Sequence, residues 1–223
     1  EECQWVCERY NIDYYFKASF DKANRTKLDS KRGVGIERTM EDFAKISAKT
    51  LTDVHETTQI DIVKDVVDVI QIPAFLCRQT DLIVRACETD CIVNIKKGQF
   101  LAPWDVEGIL SKTSEAKEVW ITERGTSFGY NNLVVDFTGL QYMLMAYNCP
   151  IVYDISHSVQ RPGGNKESSG GDRSYIPGLA RASSALGITN FFIEVHPDPD
   201  NAPSDGPNML KLEDFDRVVE DIM

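Results

Sequence analysis

Cys91-Ile92-Val93-Asn94-Ile95-Lys96-Lys97 is a short, largely apolar run, with Asn94 inside it, that closes on two lysines. Its length and its isoleucine and valine content suit a strand buried on both faces. Six similar segments lie on either side. Upstream are Tyr14-Tyr15-Phe16-Lys17-Ala18-Ser19, Thr50-Leu51-Thr52-Asp53-Val54-His55 and Val66-Val67-Asp68-Val69-Ile70-Gln71. Downstream are Glu118-Val119-Trp120-Ile121-Thr122-Glu123-Arg124, Ile151-Val152-Tyr153-Asp154-Ile155-Ser156-His157 and Asn190-Phe191-Phe192-Ile193-Glu194-Val195-His196. Helical patterns separate most of them. Ile36 to Ser47 carries Ile36, Met40, Phe43, Ala44 and Ile46 at helical spacing. Thr58 to Val66, Thr80 to Glu88, Trp104 to Ser114, Leu133 to Ala146, Ile176 to Leu186 and Leu212 to Met223 read the same way.

Strands alternating with helices build parallel βαβ units. Two architectures accommodate seven such strands: an open doubly wound sheet, or a (β/α)8 TIM barrel lacking one strand. No G-x-G-x-x-G follows the first strand, so a dinucleotide fold has no support. No organic cofactor is expected. The 223 residues fit a single domain spanning 1–223. The first residue is not Met, and the absent strand is expected before Glu1. The join at Lys49–Thr50, where a helix meets a strand with almost no connector, reads as a deletion.

Composition narrows the function. The chain is 42% hydrophobic and 26% charged, with a formal charge of -11. An acidic surface disfavours nucleic acid and anionic lipid. The apolar runs are too short to cross a bilayer. Six cysteines without a CxxC pair read as free thiols of a reducing cytoplasm. Local basic groups on such a chain suit small anionic ligands, although Lys27 and Lys31 read as a solvated face.

The polar residues fall at strand C-termini: Lys17 and Ser19, Asp53 and His55, Gln71, Lys96 and Lys97, Glu123 and Arg124, Asp154 and His157, Glu194 and His196. In a parallel barrel those ends face one mouth, where active sites are built. Lys17, Lys22, Lys96 and Arg124 read as a pocket for phosphate and carboxylate, since converging cations repel without an anion. Lys97 is open to pairing with a nearby carboxylate. His157, Glu194 and Asp205 suit a divalent metal such as Zn, Fe, Mn or Co, although spacing alone leaves this open. His55 and His196 are equally readable as core or hydrogen-bonding histidines, and Asp154 as a group that orients a neighbour.

Specific motifs go further. Phe16-Lys17-Ala18-Ser19-Phe20-Asp21-Lys22-Ala23-Asn24-Arg25-Thr26, Thr52-Asp53-Val54-His55-Glu56 and residues 71–81 (QIPAFLCRQTD) lie in the first half. Lys96-Lys97-Gly98-Gln99-Phe100-Leu101 and Arg124-Gly125 through Asp136 follow, then Glu194-Val195-His196-Pro197-Asp198-Pro199 and Ser204-Asp205-Gly206-Pro207. Together they resemble the 3-deoxy-D-manno-octulosonate 8-phosphate synthases from Phe16 to the C-terminus, with Ala18 and Thr26 as mild departures.

The resemblance implies a (β/α)8 barrel enzyme of lipopolysaccharide biosynthesis. It would condense phosphoenolpyruvate with D-arabinose 5-phosphate. Lys22, Lys96 and Arg124 would hold phosphoenolpyruvate, assisted by Ser19 and Gln71. Asn24, Arg25 and Thr26 would hold the sugar phosphate, with Lys17 and Asp53 nearer the reacting end. Arg78 would reach a neighbouring subunit, which implies a homo-oligomer, usually a tetramer. His157, Glu194 and Asp205 fall on metal-ligand positions. The Pro162-Gly163-Gly164 loop and Ser204 look like the metal-dependent type, whose fourth ligand is a cysteine on the first strand. Cys3 and Cys7 are instead expected on the first helix. The stretch Pro162 to Gly171 is expected either to close over the sugar phosphate or to be an ordinary connector. The alternatives are the related synthase that uses erythrose 4-phosphate, and an aldolase forming a Schiff base on Lys96.

Overall fold

The computed structural model describes residues 1–25, 27–164 and 169–223, so the Thr26 assignment and part of the Pro162–Gly171 stretch lie outside the described residues. The chain forms two compact units.

The first unit comprises Tyr14–Gly98 and Trp104–Ile121. It holds β1 (Tyr15–Lys17), β2 (Lys49–Asp53), β3 (Val69–Ile72) and β4 (Ile92–Lys96), paired in that order and all parallel. Leu51 faces both Lys17 and Val69, and Gln71 faces both Asp53 and Asn94. Val69, Ile70, Ile72, Val93 and Ile95 are completely buried. That follows from helices covering parallel strands, and it explains why these runs lack polar alternation. The intervening helices are Ile36–Phe43, Thr57–Val63 and Thr80–Cys87, with Val106–Leu110 after β4. Most are shorter than their sequence patterns, and Trp104 to Ser114 retains only one α-helical turn or so.

β1 leads into a loop whose ends are tied. Lys22 N–H donates to Arg32 O at 2.6 Å, and Gly35 N–H donates to Phe20 O at 3.1 Å. Arg32 grips the Asp21 carboxylate with two N–H donors. A Cβ at Gly33 would sit 2.2 Å from Phe20 O, so only glycine lets the loop close this tightly. This closure positions Lys22 beside the end of β1.

The second unit comprises Glu1–Asp13, Gln99–Pro103 and Thr122–Met223. β5 (Val119–Glu123) carries the chain from the first unit into it. β6 (Ile151–Asp154) pairs in parallel with β7 (Asn190–Phe192), and the helix Ile176–Leu186 joins them as a βαβ unit. Gly187 ends that helix at φ 102°, a conformation glycine adopts without steric cost. Ser184 Oγ donates to Ile222 O at 2.7 Å, and Arg181 pairs with Asp221 at 2.7 Å. These contacts dock the closing helix Phe215–Ile222, which Arg9 of Glu2–Arg9 grips through Asp216. Cys3 and Cys7 lie on Glu2–Arg9, as expected.

One helical expectation needs correction. Leu133–Val134 is a strand, paired antiparallel with Thr126–Ser127, and the helix begins only at Phe137. Val134 and Val135 are β-branched, and Asp136 takes an extended conformation at the helix start (φ -89°, ψ 96°). Likewise, the seventh predicted strand stops at Phe192. Val195–His196 then pairs with Leu210–Lys211. With strands and helices alternating in this way, the fold is α/β of the (β/α)-barrel class.

Candidate active site

In the first unit, β1 and β2 end side by side and bring four expected residues together. Ser19 Oγ donates to Asp53 Oδ1 at 2.6 Å, and accepts from Lys17 Nζ at 2.8 Å and Lys22 Nζ at 3.2 Å. Lys17 Nζ also lies 3.6 Å from Asp53 Oδ1. One serine hydroxyl therefore joins two ammonium groups to one carboxylate. The second oxygen of Asp53 meets His55 Nε2 at 2.9 Å. Gln59 Oε1 accepts from the His55 and Glu56 backbone N–H groups, which fixes the start of the helix after β2.

Burial by itself would raise the Asp53 carboxyl. Attraction to Lys17, hydrogen bonds from His55 and Ser19, and the charge of Lys22 outweigh it and hold the group far below the ordinary carboxylate range. A carboxyl with a depressed folded pKa stabilises the fold above its unfolded value, about 3.9, and that contribution is lost as pH falls through the folded value. Asp53→Asn is therefore expected to lose less stability than the parent on acidification below about pH 4. Urea denaturation of both proteins at neutral and acid pH checks this.

On the next two strands, β3 and β4, Gln71 Oε1 accepts from Asn94 Nδ2 at 3.3 Å, with both residues buried. Lys96 is 4% exposed and Lys97 is fully buried. Lys97 Nζ donates to Gly98 O at 3.3 Å. Asn24 is exposed, Arg25 Nε donates to Lys31 O, and Arg78 is exposed.

In the second unit, His157, Glu194 and Asp205 each offer a ligand atom within 4.8 Å of the others. His157 sits in the turn after β6, Glu194 just past β7 and Asp205 in the later loop, so only folding unites them. Nδ1 of His157 meets Asp154 Oδ2 at 2.7 Å, and its Nε2 faces Glu194 Oε1 at 3.7 Å. Asp154 thus orients a neighbour, one of the roles open to it in the sequence. Glu194 Oε2 is buried and has no hydrogen-bond partner among the described residues. A buried carboxylate oxygen without a donor suits a cation as its partner, and the imidazole-plus-carboxylate donor set fits a borderline divalent metal.

Arg124 follows β5 and is 8% exposed. Burial pulls its guanidinium down, against the attraction of Asp154, Asp205, Glu123 and Glu194. Its Nη2 donates to Gln160 Oε1 at 3.0 Å, while the buried Nη1 lacks a partner among the described residues. Gln160 in turn donates to Asp205 Oδ1 at 2.8 Å. Sequence reading missed Gln160 and Ser156, because a lone glutamine or serine after a strand carries no spacing signal. His196 accepts the Asp198 backbone N–H at 3.0 Å and serves its own turn.

Comparison with known proteins agrees with the motifs. The family model of the DAHP synthetase I family matches residues 1–222. A protein of Bartonella tribocorum named 2-dehydro-3-deoxyphosphooctonate aldolase is 50% identical over 98% of this chain and 80% of its own length. Proteins of the same name from Nitrobacter hamburgensis and Caulobacter vibrioides are each 50% identical, over 98% of this chain and 78% of their own. The matches extend over both units, and on that ground the chain belongs to the DAHP synthetase I family, among its 2-dehydro-3-deoxyphosphooctonate aldolases.

Proposed function

We propose that the protein condenses phosphoenolpyruvate, D-arabinose 5-phosphate and water to 3-deoxy-D-manno-octulosonate 8-phosphate and phosphate, a step of lipopolysaccharide biosynthesis. The observation that carries this reading is half identity to relatives named for that product over 98% of the chain. The half-buried Lys17–Ser19–Lys22–Asp53 cluster supports it, since it is built from the motif residues themselves.

C3 of phosphoenolpyruvate attacks the aldehyde carbon of the sugar phosphate, water adds at C2, and phosphate leaves with cleavage of its C–O bond. Lys22, Lys96 and Arg124 neutralise the phosphoenolpyruvate anion, assisted by Ser19 and Gln71. Asn24, Arg25 and Thr26 take the phosphate of the sugar, and Lys17 and Asp53 act nearer its aldehyde. Fixed cations of this kind lower the barrier by holding the reactants and by meeting charge as it develops. His157, Glu194 and Asp205 hold a divalent cation, which supplies Lewis acidity or a held water. Arg78, exposed on the first unit, serves a neighbouring subunit in a homo-oligomer, a tetramer. The six cysteines, all free, support a cytoplasmic enzyme. No described helix is long and apolar enough to cross a membrane.

Phosphate release from phosphoenolpyruvate with each sugar phosphate tests the reading. Arabinose 5-phosphate is expected to turn over at least about a hundredfold faster than erythrose 4-phosphate, a gap of about 2.7 kcal/mol in barrier. The reverse preference assigns the chain to the erythrose 4-phosphate reaction. Borohydride is expected to trap no adduct; a covalent adduct on Lys96 overturns the mechanism in favour of a Schiff-base aldolase.

A further inference from the structure

The three residues of the His157–Glu194–Asp205 cluster come from separate parts of the chain, yet one short segment touches all of them. Residues 154–160 contribute His157 itself and one hydrogen-bonding group for each member. Asp154, completely buried, accepts the His157 backbone N–H with Oδ1 at 2.9 Å and contacts Nδ1 with Oδ2 at 2.7 Å. Ser156, also completely buried, accepts the backbone N–H of Glu194 on its Oγ at 2.7 Å. Gln160 donates its Nε2 to Asp205 Oδ1 at 2.8 Å.

We infer that Asp154, Ser156 and Gln160 are positioning residues for the metal, so that the segment 154–160 sets the geometry of all three ligands. The inference rests on the metal reading above and deepens it.

The chemistry of each contact is one-directional. The Asp154 carboxylate can only accept, so Nδ1 of His157 carries the proton and Nε2 keeps its lone pair toward Glu194. The amide of Gln160 has a single orientation that satisfies both neighbours: arginine only donates and a carboxylate only accepts. Its oxygen must therefore face Arg124 and its nitrogen Asp205. Gln160 also stands between a guanidinium and a carboxylate that attract one another, leaving Asp205 for the cation. Ser156 fixes the backbone from which the Glu194 side chain departs. The Ile155 N–H donates to Phe192 O at 3.2 Å, tying the same turn to the end of β7.

The substitutions separate positioning from ligation. Asp154→Asn replaces one acceptor oxygen by an NH2 donor. It satisfies only one of the two His157 N–H groups, and when it donates to Nδ1 it moves the ring proton to Nε2, which then cannot bind metal. Ser156→Ala removes the tie to Glu194 and keeps all three ligand residues. Ser156→Thr keeps the hydroxyl.

The experiment is titration of metal-free protein with Co2+, read by its visible absorption and by calorimetry. Asp154→Asn, Ser156→Ala and Gln160→Leu are each expected to weaken Co2+ binding about tenfold to a hundredfold, with an altered spectrum for the first two. Ser156→Thr is expected to restore parental affinity. Thermal unfolding identifies any variant that fails to fold, and Ser156→Ala with its threonine rescue decides the matter if Asp154→Asn does. Parental affinity and spectrum in Ser156→Ala overturn the inference, and so does weakening that threonine fails to rescue. His157→Ala is the control. If it binds Co2+ as the parent does, the metal reading fails, and the inference with it. If it loses Co2+ while Ser156→Ala binds normally, only the positioning inference fails.

Discussion

Lys96→Met should abolish nearly all turnover, with kcat/KM lowered by at least about a thousandfold, or ~4 kcal/mol of barrier. Lys96 ends β4 at 4% exposure, so its ammonium is held away from bulk water, where a charge acts far more strongly on an anion than at a surface. Methionine keeps the flexible apolar stem and removes only the charge. Activity should collapse while the protein still folds cooperatively. Phosphate-release kinetics beside thermal unfolding checks both halves. A variant that keeps more than a tenth of parental kcat/KM removes Lys96 from the anion site. One that loses activity and stability together makes Lys96 a structural residue.

Exhaustive removal of divalent cations should lower turnover by about a thousandfold or more, since a bound metal is worth several kcal/mol of barrier. Mn2+ or Co2+ should restore it in the parent. In His157→Ala the added metal should restore nothing, because the remaining Glu194 and Asp205 carboxylates form a poorer site. Activity assays after chelation and readdition, with metal content measured alongside, distinguish the cases. Unchanged turnover in the metal-free parent would leave the cluster as a hydrogen-bonded structural group. The buried oxygen of Glu194, which has no partner among the described residues, argues against that outcome, because such an atom is costly unless something occupies its lone pairs.

Much of this was legible in the chain. β-rich apolar runs between helical patterns announced the parallel strands, because a strand covered on both faces needs no polar alternation. The strand Ile92–Lys96 lies inside the segment read for it, and Val69–Ile72 runs one residue past its own. The ends were less secure. Leu133 and Val134 fit a helical pattern as well as a strand, and a hairpin with Thr126–Ser127 claimed them. Local periodicity cannot register a partner strand that tertiary packing supplies.

Sequence by itself determined the alternation of strand and helix, the placing of charge at strand ends, and the family, since each is written in residue order. Only the tertiary structure decided which of those charges meet. Ser19 as the junction of Lys17, Lys22 and Asp53, Asp154 and Ser156 behind His157 and Glu194, and Gln160 between Arg124 and Asp205 all depend on hydrogen bonds a few ångströms long. Most of these bonds join residues tens of positions apart, and no periodic signal along a chain encodes such a distance.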